Sequence, residues 1–146
     1  MTTAVEPTPT TRFDTKIAIV LRDDLLPWQE LNVTAFLVSG IATRDDAMVG
    51  EPYEDADGRQ YLPMMRQPML VFSATSDDVR RIHATALRRG LPMAIYTRDL
   101  FATGHDDANR AVVRAVPTEA LDLVGVAVHG PRNAVDKTVR GARLHP

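Results

Sequence analysis

Asp99, Thr103, His105 and Asp106 follow closely on an apolar run, Met93-Ala94-Ile95-Tyr96. An imidazole oriented by a carboxylate can serve as a general base, and a hydroxyl can hydrogen-bond a carbonyl oxygen. A histidine at a helix entry needs no such role, and that reading of His105 stays open. A second charged stretch has the same setting: Ile17-Ala18-Ile19-Val20-Leu21 passes into Arg22-Asp23-Asp24-Leu25, much as Tyr96 passes into Thr97-Arg98-Asp99-Leu100. Short β-branched runs that stop at charged loops read as buried strands of an α/β sheet. If both strands run the same way, the two Arg-Asp pairs stand at one rim, where open α/β sheets collect ligands. Two solvated ion pairs are the plainer alternative.

Other chemistries lack their residues. There is no cysteine, so disulfides, thiolate catalysis and zinc–sulfur sites are out. His83, His105, His129 and His145 fall in different elements without H-x-x-x-H spacing, so neither a metal nor a cofactor is expected. His83, on a helix, reads as partly exposed, and His145 as a terminal residue. The chain contains no glycine-rich phosphate cradle of the dinucleotide or P-loop type, and no G-x-S-x-G elbow. Glu51, Glu54, Asp55 and Asp57 supply only part of a cation loop, so a solvated turn is the better reading.

With 146 residues, 45% hydrophobic and 25% charged, one domain over 14–146 is expected behind a Thr/Pro-rich disordered tail over 1–13. The tail lacks a basic start and an apolar segment, so it is not read as a signal peptide; no stretch suits a bilayer span, and a cytoplasmic location is expected. A net charge of −2 gives no global basic field.

Several elements must position the candidate residues. Strands are expected over Thr15–Leu21, Met69–Ser73, Leu91–Thr97 and Leu121–Val128, the last bounded by His129-Gly130-Pro131, with a short terminal strand at Arg143-Leu144-His145. Helices are expected over Trp28–Ala42, from the Thr75 cap to Arg89, over Asp107–Ala115 and over Asn133–Val139. In the first, Trp28, Leu31, Ala35, Val38 and Ala42 form an apolar stripe. Asp57-Gly58 can close a hairpin between Tyr53 and Tyr61. Alternating strands and helices predict a three-layer α/β/α sandwich around a mixed, mostly parallel sheet of four to five strands.

The order of segments from Lys16 onward resembles the type II peptidyl-tRNA hydrolase superfamily, and more closely an uncharacterised bacterial branch of it. Lys16 to Leu25, Ser76 to Val79 with Leu87 to Pro92, Arg98 to Thr103, and Val124 to Ala127 with Val135-Asp136-Lys137 carry the match. Pro27 to Phe36 and the terminal Leu144-His145-Pro146 are similar to that branch in particular. A small homodimer with a pocket at the carboxyl rim of its sheet is expected. Where the hydrolases carry an active-site lysine and glutamine, this chain has Asn32 and Phe36. The family's Asp-x-Gly-x-Thr loop matches Asp99 and Thr103, with Phe101 in place of the glycine. A mobile positive charge is thereby exchanged for a weaker dipole, which argues against ordinary peptidyl-tRNA hydrolysis.

Asp99, Thr103, His105 and Asn32 are therefore the candidate catalytic residues, with Arg22, Asp24, Trp28 and Phe101 as ligand contacts. A hydrolase or transferase acting on an acyl or aminoacyl ester or amide is the first expectation. The alternative is a non-catalytic small-ligand-binding or regulatory homodimer. Arg80, Arg81, Arg88 and Arg89 could meet tRNA phosphates, although a solvated basic face explains them as simply.

Overall fold

The computed structural model describes residues 12–146, so the expected tail lies outside the described residues except for Arg12 and Phe13. Along the chain come β1 (Thr15–Arg22), α1 (Pro27–Ala42), a hairpin of β2 (Tyr53–Glu54) and β3 (Gln60–Tyr61), β4 (Met69–Ala74) and α2 (Ser76–Arg89). These are followed by β5 (Met93–Thr97), a 3-10 turn (Arg98–Ala102), α3 (Asp106–Arg114), β6 (Leu123–Pro131), α4 (Arg132–Thr138) and β7 (Arg143–Leu144). Tyr53 pairs with Tyr61 across the Asp57-Gly58 turn, where Gly58 takes φ 82°.

The main sheet has the order β5-β6-β1-β4-β7. Among the described strands only β1 and β4 pair in parallel; β6 runs against both β1 and β5, and β7 against β4. The mostly parallel sheet expected from sequence is corrected to a mostly antiparallel one. Strand β6 is buried at every residue but its last. An interior strand covered on both faces reads as one apolar run whichever way it points, so composition conceals direction. Strand β6 also continues through His129-Gly130-Pro131, the expected boundary. Gly130 and Pro131 pair there with Lys16 and Thr15, at the strand end where a missing donor is tolerable.

Alternation along β1 serves two apolar clusters. Ile17, Ile19 and Leu21 pack with Val33, Leu37 and Ile41 of α1. Ala18 and Val20 pack with Val79, Ile82 and Ala86 of α2 and Val135 of α4. The side of α1 expected to be buried is therefore not the one that faces the sheet. Leu31 is 73% exposed and Trp28 57%, while Val33, Leu37 and Ile41 are buried at four-residue spacing. A helix apolar on several sides offers more than one stripe, and the sheet's shape selects among them. Gly125 on β6 makes the selection: a Cβ there would lie 2.7 Å from Val33 Cγ1, so its absence lets α1 settle closely.

Helix α2 follows its sequence signals. The Thr75 hydroxyl accepts from the Asp78 amide at 3.2 Å, and Gly90 ends the helix at φ 67°. His83, expected to be partly exposed, is buried on this helix, and desolvation pushes its imidazole pKa down. No helix among the described residues is long and apolar enough to cross a membrane.

Candidate functional site

Strands β1 and β5 each run against β6, so they point the same way and their outgoing turns share a rim, with the entry to β6 between them. Four charges meet there. Arg22 grips Asp24 in a bidentate pair, Nε to Oδ1 at 2.7 Å and Nη2 to Oδ2 at 3.1 Å, and donates from Nη1 to Asp122 Oδ1 at 2.9 Å. Arg98 approaches the same carboxylates, at 3.7 Å from Asp24 and 3.6 Å from Asp122. Arg22 is 9% exposed, so its charge depends on these partners. The guanidinium holds the Asp24 carboxyl below the usual carboxylate range, and Asp24 in turn raises the pKa of Arg22. Two positive and two negative groups close on themselves and tie three strand ends together.

A cavity of about 570 Å³ begins beside this rim, between α1 and the chain leaving β5. Four rings form its wall. Trp28 meets Phe101 edge-on at 5.6 Å between centroids, Phe101 meets Tyr96 at 5.1 Å, and Tyr96 meets Phe36 at 6.0 Å. Asn32 donates from Nδ2 to the Tyr96 hydroxyl at 2.9 Å. Burial raises the Tyr96 pKa, partly offset by that hydrogen bond. The amide of Asn32 keeps one N–H and its oxygen for the cavity. Thr103 Oγ1 donates to the Leu100 carbonyl at 2.9 Å and touches the side-chain amide of Asn109. The His105 ring caps α3, its Nδ1 accepting from the Ala108 amide at 3.3 Å, which leaves the proton on Nε2. A second cavity of about 470 Å³ continues along the outer side of β5 toward the end of α3, sharing Phe36, Tyr96, Leu100 and Asn109 with the first. Together they form one groove.

The structure thus brings Asn32, Trp28, Phe101, Thr103 and His105 around a single cavity. Arg22 and Asp24 stand apart from it in the ion network. Asp99 is exposed on the 3-10 turn and does not line the cavity. Tyr96, Asn109 and Asp122 were not singled out from sequence. Tyr96 reads as an ordinary core residue of a strand, and Asp122 joins Arg22 across a hundred residues, with no local signal for the pair. Among the described residues no cluster of three His, Asp or Glu side chains is placed to hold a metal ion.

Fold and site together define a mixed α/β protein with an aromatic groove against the edge of its sheet. The chain belongs to the DUF2000 family, described as proteins of unknown function, which matches residues 15–146. A solved protein of unknown function from Agrobacterium is similar over 92% of this chain and 100% of its own, with 45% identity and a TM-score of 0.89. No curated protein matches.

Proposed function

We propose that the groove between α1 and α3 binds a small ring-bearing or acyl organic molecule and holds it without turnover. The observation that carries this reading is that His105 and Thr103 are already engaged and Asp99 lies outside the cavity, while Asn32 keeps hydrogen-bonding capacity to spare. The Nδ1 lone pair of His105 is spent on capping α3, Thr103 is engaged by Leu100 and Asn109, and Asp99 lies outside the cavity. Among the described residues no carboxylate or imidazole is hydrogen-bonded to the Thr103 hydroxyl, whereas the ring wall and the spare amide atoms of Asn32 suit an apolar molecule with one carbonyl or amide. A thermal-shift screen of ring-bearing amides and carboxylic acids tests it, since a ligand of the native state raises its melting temperature. Hits should lose their shift in Asn32→Leu and keep it in Asp99→Ala.

A second reading is an acyl-ester or amide hydrolase or transferase, favoured by Asn32, Thr103 and His105 facing one cavity. Turnover of acyl or peptidyl esters that disappears in His105→Ala would replace the first reading with this one. We assign the scaffold to the three-layer, peptidyl-tRNA hydrolase II-like architecture of bacterial proteins. Apolar clusters on both sheet faces and the Agrobacterium similarity support that assignment. A homodimer, which we place in the cytoplasm, would cover the outward Leu31 of α1, and tRNA contact would fall to the exposed arginines of α2.

A further inference from the structure

The half of the groove away from Trp28 has main-chain groups for one wall. Among the described residues, strand β5 is the last strand of the sheet, with β6 as its single neighbour. In an antiparallel pair, alternate residues exchange hydrogen bonds with the partner, and those between them point their N–H and C=O the other way. His129 donates to the Pro92 carbonyl at 3.2 Å, which makes Pro92–His129 a bonded pair. Counting along the register, Ala94–Ala127 and Tyr96–Gly125 are bonded too, and Met93 and Ile95 are not. The far side of β6 agrees: Arg132 donates to Asp14 at 3.2 Å, so Val126 and Val128, opposite Ile95 and Met93, spend their main-chain groups on β1. The amides and carbonyls of Met93 and Ile95 therefore face the open edge, and Ile95 lines the groove.

The opposite wall is α3, whose apolar residues lie along one side, yet none of its residues is fully buried. Val113 on that side faces the groove, and Arg114 stands at its end. Among the described residues Arg110 is held by Asp106 and Asp107, while Arg114 has no carboxylate within ion-pair distance. A free strand edge, an unfilled apolar helix side and an uncompensated cation thus border one channel.

We infer that this half of the groove takes a short extended peptide with a free carboxylate, paired main chain to main chain with Ile95. Edge addition supplies affinity through backbone hydrogen bonds and selectivity through alternate side chains, here small apolar ones against Leu100 and Val113. The carboxylate sits against Arg114. The start of β5 at Met93 and the register shift at Tyr96/Thr97 confine pairing to about four residues, roughly 13 Å of strand. The same two features keep the edge from recruiting long strands indiscriminately. The inference rests on the groove being a ligand site and names what its far half recognises.

The test uses the full chain labelled with nitrogen-15 and a pool of N-acetylated tetrapeptides of alanine, valine and threonine with free C-terminal carboxylates. The Met93 and Ile95 amide resonances should move saturably. N-methylation of the peptide amides should weaken binding about tenfold, as expected for a lost main-chain hydrogen bond. Carboxylate and carboxamide peptides should differ for the native chain and bind alike to Arg114→Gln. Shifts confined to the Trp28 indole, or silence at both ends, would overturn the peptide while leaving the small-molecule reading to its own screen. Ile95 shifts that follow protein concentration and ignore peptide would assign the edge to a second copy of the chain, against the inference.

Discussion

At the rim, Arg22 and Arg98 face Asp24 and Asp122 so that each charge meets two of opposite sign. In the groove beside it, Trp28 and Phe36 are each more than half exposed, and the Asn32 amide spends one hydrogen on Tyr96 and keeps the rest of its capacity. The charged residues look more like catalytic groups in sequence, yet their interactions are exhausted in joining strand ends. The uncharged residues retain unused surface and hydrogen bonds, which a ligand requires. A site is better recognised by what its groups have left to offer than by their reactivity in isolation.

The largest effect tests what supports the groove. Gly125→Val should force α1 off β6 and cost about 3 kcal/mol by overpacking, with ligand binding lost as the wall shifts. Chemical denaturation and a binding titration check both. Arg22→Met should cost about 2 kcal/mol, between the values for exposed and buried pairs, and leave binding unchanged. If binding falls in step, rim and groove are one site and the contrast between them fails.

The rim should also be the acid-sensitive region. Because Arg22 holds Asp24 below its unfolded pKa, the pairing contributes fully above the ordinary carboxylate range near pH 4 and is lost as pH falls through the depressed value. Stability measured from pH 7 to pH 3 should drop at the acid end, and Asp24→Asn should flatten part of that drop. Tyr96→Phe removes the acceptor of one Asn32 hydrogen bond and should cost about 1 kcal/mol. Trp28→Ala should change stability by no more than about 0.5 kcal/mol, since the ring is largely in solvent, while weakening ligand binding at least tenfold.

Features with local causes were legible in the sequence. The Thr75 cap, the Gly90 stop and the Asp57-Gly58 hairpin each follow from residues a few positions apart. The direction of β6 and the buried side of α1 were not, because both depend on what packs against an element apolar on more than one side. The candidate site divided the same way. Trp28, Thr103 and His105 lie near helix or turn ends, where sequence shows both residue and exposure, whereas Asn32, inside α1, is marked only by the family resemblance. Tyr96 was hidden because its ring belongs to the core while its hydroxyl meets Asn32 at the cavity. Asp99 stands on its match, with Thr103, to the family's Asp-x-Gly-x-Thr loop, and its exposed place on the 3-10 turn outside the cavity depends on how that turn packs.

Side-chain resonances separate the two regions in one spectrum. The chain has a single tryptophan, so the Trp28 indole signal is unique, and the Asn32 and Asn109 amides report the groove as the Arg22 and Arg98 Nε signals report the rim. On titration with hits from the ring-bearing screen, the indole and the two amides should move together and saturate at one dissociation constant while both arginine signals stay in place. Saturable movement of the arginine signals with a motionless indole would contradict the account.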